Sequence, residues 1–173
     1  MSYFIIIRGP LGIGKSSVAK ELSKILNAEY ISIDFTLEEL GLDKVSEIEE
    51  CIPAKNFIKS DEYILPKIKK RLSDGKIVIF DGNFYHKEQI EHLLKNLSNH
   101  EHYSFTLKAP LKVCIERDKQ RAKPYGKFAA MAVHNLVSRF DYGKIVNTEN
   151  KSLHQVVKEI CSYLPEPKRT KKL

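Results

Sequence analysis

Gly9-Pro10-Leu11-Gly12-Ile13-Gly14-Lys15-Ser16 has the spacing of a glycine, four residues, then Gly-Lys-Ser/Thr, the pattern that cradles a phosphate chain. Gly9, Gly12 and Gly14 lack a Cβ, so the backbone can enter positive φ and turn its N–H groups inward at the start of a helix whose dipole favours anions. Lys15 adds a point charge. Ser16 puts a hydroxyl where a magnesium ion bridging the phosphates would sit, and Ser17 can cap another backbone donor. Candidate nucleotide-binding residues are thus Gly9, Leu11, Gly12, Ile13, Gly14, Lys15, Ser16 and Ser17.

The flanks supply the setting this loop requires. Residues 3–7 are a short apolar run of β type ending at Arg8, and Val18, Leu22, Ile25 and Leu26 recur at helical spacing after the loop. A glycine-rich turn without a ligand, the competing reading, gives no reason for strand, loop and helix in this order. Residues 29–33 read as a second strand that delivers Asp34 at its C-terminal end, where parallel α/β sheets place ligands. Residues 36–53 are mixed and acidic and read as short helices and loop. Residues 54–72 form a helix that Pro66 is expected to kink or divide. A third strand, 76–80, ends at Asp81-Gly82-Asn83 and is apolar enough to be buried on both faces. A helix over 87–97, a strand over 103–107, helices over 111–121 and 128–140, a short strand over 144–147 and a helix over 153–164 complete the chain. Five strands alternating with helices predict an α/β fold with a parallel sheet covered on both faces.

A chain of 173 residues suits one domain with a full core. No apolar run approaches the roughly 20 residues of a membrane span, and Arg8 comes too early for a signal peptide, so the expected compartment is the cytoplasm. Cys51, Cys114 and Cys161 have no paired or metal-ligand spacing and read as reduced packing residues. Of the net charge of +7, the tail from Pro165 supplies +3 through Lys168, Arg169, Lys171 and Lys172 against Glu166. A basic balance of this kind suits an anionic partner, nucleic acid included, or simply a solvated tail.

The other strand ends discriminate among phosphate-loop proteins. No Asn-Lys-x-Asp guanine-reading segment is present, and strand three does not end in the Asp-Glu pair of many ATPases. The loop with Ser17, Asp34 after strand two, the segment Ala109-Pro110-Leu111-Lys112-Val113-Cys114-Ile115-Glu116-Arg117-Asp118, and the close Arg139-Phe140-Asp141-Tyr142 to Ile145-Val146-Asn147-Thr148 carry a resemblance. Through them the chain resembles, over nearly its whole length, the nucleoside-monophosphate-kinase-like branch of P-loop kinases. Within that branch it is most similar to the group of shikimate, gluconate and adenylylsulfate kinases, chloramphenicol phosphotransferase, seryl-tRNA(Sec) kinase and polynucleotide 5′-hydroxyl kinase. The resemblance implies a P-loop NTPase three-layer α/β/α fold with a five-stranded parallel sheet of order 2-3-1-4-5. It further implies a kinase domain over 1–164, with a helical acceptor insertion at about 35–60 and an arginine-bearing lid at about 117–128, followed by a basic flexible tail at 165–173.

By the same resemblance ATP is the phosphoryl donor, Mg2+ is required, and a hydroxyl-bearing small molecule is the acceptor. Asp34 stands where these families place the carboxylate that takes or orients the acceptor hydroxyl proton; capping a helix is its other reading. Asp81 is a magnesium ligand, at first or second remove, or an acceptor contact, unless it merely forms an Asp-Gly turn. Arg117 and Arg121, four apart on one helix face, can bridge a transferring phosphoryl group or stack on adenine, with Arg117 as the catalytic candidate beside Lys15 and Asp34. Arg121, Lys123 and Lys127 are otherwise solvated lid charges. Asn147 and Thr148 line the adenine edge. Arg139 contacts acceptor or phosphate, or else pairs with Asp141 or Glu149. Phe35, Asn56, Asn83, Tyr85 and His86 are acceptor candidates, with core filling an equal reading for Phe35 and Tyr85.

The chain lacks the Asp-x-Asp on strand two and the triple glycine after strand three of shikimate kinase, so the acceptor is not inherited. Three readings stand: a small-molecule or nucleoside kinase, a kinase of RNA or DNA ends, and a nucleotide-switched accessory ATPase of tRNA modification without an acceptor.

Overall fold

The structure, a computed structural model, describes residues 2–165; the basic tail beyond Pro165 lies outside the described residues. Its centre is β1 (Tyr3–Arg8), six residues buried on both faces, as a continuous apolar run in the middle of a parallel sheet must be. The phosphate loop leads from it into α1 (Lys15–Leu26), β2 (Glu29–Ser32) and α2 (Ile33–Glu39). Then follow α3 (Ala54–Ser73), β3 (Val78–Gly82), α4 (Lys87–Asn96), β4 (Glu101–Lys108) and α5 (Leu111–Lys119). The chain closes with α6 (Lys127–Val137), β5 (Lys144–Asn147) and α7 (Leu153–Cys161). The strands are parallel in the order β2-β3-β1-β4-β5, as the resemblance implied.

Alternation along β1 sorts the core into two layers. Phe4 and Ile6 face Phe57, Ile64 and Ile68 of α3 and Ile90 and Leu93 of α4. Ile5 and Ile7 face Val18 and Leu22 of α1 and Val156 and Ile160 of α7. Among the described residues no helix is long and apolar enough to cross a membrane.

Three local expectations need correction. Strand two stops at Ser32, because the Ser32 hydroxyl accepts the Phe35 N–H at 3.2 Å and starts α2, so Asp34 lies in a first helical turn and is not the cap. Asp81 and Gly82 do not form a turn: they continue β3, paired with Ile7 and Arg8 of β1. Pro66 does not divide α3. The carbonyl it leaves without an N–H is that of Glu62, an exposed residue on the solvent side of the helix.

Between α3 and α4 lies a buried polar group. Asp61 has no exposed surface, accepts a hydrogen bond from Gln89 Nε2 at 3.3 Å, and has His92 Nδ1 3.5 Å from its second oxygen. Burial, with a smaller push from Glu62, drives the carboxyl up to about 8. From the unfolded value near 4 up to about 8 the native state keeps a proton that the unfolded chain has released, so stability falls as pH rises through that window. Asp61→Asn removes the titration. Its melting temperature relative to wild type is expected to rise progressively between pH 5 and pH 9, by an amount equivalent to a few kcal/mol at the alkaline end, on the order of 1.4 kcal/mol per pKa unit. A constant difference between the two proteins across that range contradicts the assignment.

Candidate active site

The crevice is built at the C-terminal ends of β1, β3 and β2. Gly14 precedes α1 with φ +98°, no side chain caps this helix, and no acidic residue occupies its first turn. Its first N–H groups therefore point out without a side-chain partner, next to the positive end of the dipole, which is the standard geometry for an anion. Gly12 is at φ +76°, and a Cβ there would run into the Cys114 carbonyl and stand 3.2 Å from the Asp118 N. Helix α5 thus lies directly on the loop, and only glycine permits it.

Lys15 is buried, and its ammonium donates to the Pro10 carbonyl at 2.9 Å and to Asn83 Oδ1 at 3.0 Å. Burial lowers its pKa, while the charges of Asp81 and Asp34 pull it back up. Asn83, predicted as an acceptor contact, is buried and buttresses this lysine instead. Asp34 sits half-buried, and burial raises its carboxyl above the ordinary value, with Lys15 and Arg121 opposing.

Asp81 is buried; its Oδ2 accepts the Tyr30 hydroxyl at 2.8 Å, and its Oδ1 has no partner among the described residues. Burying an unpaired carboxylate oxygen is costly, so an unpaired oxygen in a phosphate crevice suits a bound cation or its water. The donors available there, the Asp81 carboxylate and the exposed Ser16 hydroxyl, are the hard oxygens that Mg2+ takes, and Mg2+ needs few of them when phosphates complete its shell. Among the described residues no group of three His, Cys, Asp or Glu could hold a metal by itself.

The two arginines part company. Helix α5 ends at Lys119, short of the expected Arg121, so they do not share a helix face. Arg117 donates to the Ile13 carbonyl at 3.3 Å and grips Thr148 twice, Oγ1 at 3.0 Å and the carbonyl at 2.9 Å. With Gly14, Ser17, Val18, Lys151, Leu153 and Val156 these residues line a cleft of about 260 Å³ on the outer side of the loop. Arg121 is exposed, stands 4.8 Å over the Tyr125 ring, and adds its charge to the fields acting on Lys15 and Asp34.

Other candidates are placed elsewhere. Asn56 donates to the Leu42 carbonyl at 2.9 Å, pinning the α2–α3 connection. Tyr85 is buried edge-on against Phe57, its hydroxyl accepting the Ile52 N–H at 3.2 Å, and His86 Nε2 lies 2.7 Å from the Ile52 carbonyl. Phe35 is 57% exposed on α2. Arg139 is exposed and makes no ion pair among the described residues; Asp141 pairs with Lys108 instead. Asn147 Oδ1 accepts the Glu149 N–H at 2.9 Å, while Thr148 is buried and bonded to Lys108.

Three further residues were given no role in the sequence. Tyr30 supports Asp81 from β2, its partner 51 positions away. Asp118 accepts the Tyr125 and Gly126 N–H groups. Arg8 is a buried cation satisfied by neutral acceptors: the Phe84 carbonyl at 2.9 Å, Thr106 Oγ1 at 3.2 Å and the Val137 carbonyl at 2.7 Å, with its guanidinium 4.2 Å over Phe140. The strand pattern marked only Arg8, as an interruption, since partners this distant leave no local trace.

Residues 4–140 match the AAA domain family. A cytidylate kinase of Sulfurisphaera tokodaii is 29% identical over 174 residues, covering 92% of this chain and 94% of that protein. A thymidylate kinase of Bacillus velezensis is 32% identical over 91 residues, 45% of this chain; the match spans only 43% of that relative's length. In three dimensions the chain is similar to the Mycobacterium tuberculosis APS kinase in complex with AMPPNP and APS, with a TM-score of 0.69 at 17% identity over 93% of this chain and 96% of that one. That likeness bears on the fold.

Proposed function

The chain belongs to the AAA domain family, and from its site and its similarity to kinases we propose that it is an ATP-dependent kinase moving the γ-phosphoryl group to the hydroxyl of a small metabolite or nucleoside-like acceptor. The observation that carries the reading is the convergence of Lys15, Asp34 and Asp81 from the ends of three adjacent strands, with Arg121 facing them from beyond α5. The loop amides and Lys15 hold the β- and γ-phosphates. Asp34 takes the acceptor proton as that oxygen bonds to the γ-phosphorus, and the bond to the β,γ-bridging oxygen breaks to release ADP. Ser16 and Asp81 would hold Mg2+, which neutralises phosphate charge when bound.

In this reading Arg117 belongs to the base end of the nucleotide, through Thr148 and the outer cleft, and Arg121 to the transferring group. Arg117→Ala is expected to weaken binding of Mg·AMPPNP about 10-fold with kcat nearly kept, and Arg121→Ala to lower kcat about 10²-fold with nucleotide binding nearly kept. Titration and steady-state kinetics of the two variants check this; both moving the same parameter contradicts it.

ADP release screened against pools of nucleosides, sugars and hydroxy acids tests the function. One pool raising turnover far above basal hydrolysis is expected, and a flat response across all pools favours the nucleotide-switch reading. A nucleic-acid end as acceptor is favoured by one feature: Arg121, Lys123 and Lys127 interleave with the exposed rings of Tyr125 and Phe128, the combination that single strands use. A steep loss of turnover on an RNA substrate between low and moderate salt is its signature.

A further inference from the structure

We propose that Asp118 is a positioning residue, which holds the turn between α5 and α6 so that Arg121 and Tyr125 stand over the phosphate crevice. The proposal rests on the kinase reading. Asp118 is 1% exposed in the last turn of α5, and carboxylates are rarely buried so completely without a paired cation. Arg121 Nη1 makes only a long ion pair with its Oδ1 at 3.9 Å, beyond hydrogen-bond length. The carboxylate is occupied instead by backbone: Oδ1 accepts the Tyr125 N–H at 3.3 Å and Oδ2 the Gly126 N–H at 2.9 Å.

These two bonds close a loop from residue 118 to residue 126 and set the start of α6, whose flanking Gly126 stands at φ +93°. They fix the backbone of Tyr125, and so the ring on which the Arg121 guanidinium stacks. At its other end the backbone N of Asp118 lies close to the phosphate loop, 3.2 Å from where a Cβ on Gly12 would stand. One residue therefore spans from the loop that grips phosphate to the turn that carries the arginine. A carboxylate is required for this, because both groups it meets are donors; an amide offers one acceptor oxygen and turns its NH2 against an N–H.

The experiment combines hydrogen exchange with kinetics. In wild-type protein bound to Mg·AMPPNP, the amides of Tyr125 and Gly126 are expected to exchange more slowly than those of Ala122 and Lys123. In Asp118→Asn and Asp118→Ala that protection should be lost. With Mg·ATP, and water as the acceptor, Asp118→Ala is expected to lower kcat about 10²-fold, the scale of a misplaced catalytic group, with KM for ATP changed less than about 3-fold. Asp118→Asn should fall between Ala and wild type. Asp118→Ala combined with Arg121→Ala should be no slower than Arg121→Ala alone, because both remove one function.

Unprotected Tyr125 and Gly126 amides in wild type overturn the proposal, as do additive losses in the double variant or an equal rise in KM that marks general loss of structure. If wild-type protein turns over ATP with neither water nor any acceptor pool the kinase reading fails, and the exchange measurement alone decides the role of Asp118.

Discussion

Lys15→Ala is expected to lose nucleotide binding and with it essentially all turnover, a fall in kcat/KM of at least about 10³-fold. Lys15 is buried at the mouth of the α1 dipole, and no other lysine or arginine among the described residues donates to the Pro10 carbonyl or to Asn83. In this low-dielectric place its ammonium is worth far more to a polyphosphate than a surface lysine would be. Alanine also leaves Asn83 Oδ1 without its donor and Pro10 O with only the 3.4 Å bond from the Ile13 N–H, at about 1–3 kcal/mol for a buried group, so a modest drop in melting temperature accompanies the loss. Lys15→Arg is not a rescue, because a planar fork does not fit where a compact ammonium meets two acceptors. Titration with Mg·AMPPNP reads the effect, and affinity within about 3-fold of wild type contradicts it.

Asp34→Asn is expected to separate chemistry from binding, lowering kcat by about 10²–10⁴-fold with Mg·AMPPNP affinity kept. Burial raises the Asp34 carboxyl, and only the ionised form can accept the acceptor's proton. Turnover of the wild type should therefore fall as pH drops through a value above the ordinary carboxylate range, and the residual activity of Asp34→Asn should lack that acid limb. Unchanged turnover in the variant, or the same acid limb in both proteins, removes Asp34 from the proton step.

The phosphate loop was legible because its chemistry is contiguous: eight residues carry the glycines, the lysine and the hydroxyl, and a strand and a helix flank them. The sheet was legible from apolar runs, and its order from resemblance. What stayed hidden depends on distant or backbone partners. Nothing near Ser32 in the sequence says that its hydroxyl takes the Phe35 N–H ahead of Asp34. Four-residue spacing put Arg117 and Arg121 on one face, but the backbone bonds of Asp118 go with a chain that leaves the helix between them. Tyr85 and Asn56 look like ligand contacts by position, yet Ile52 and Leu42 take their polar atoms. Tyr30 reads as ordinary strand filling until the fold brings Asp81 to its hydroxyl.

The most direct test follows the γ-phosphate itself. Wild-type protein and Asp34→Asn are incubated in parallel with γ-labelled ATP, Mg2+ and the acceptor pool that accelerates ADP release, and the labelled product is identified. A labelled phosphate monoester of an alcohol from wild type, and almost none from Asp34→Asn at equal nucleotide occupancy, is the expected result. Label recovered only as inorganic phosphate, at the same rate from both proteins, would contradict it.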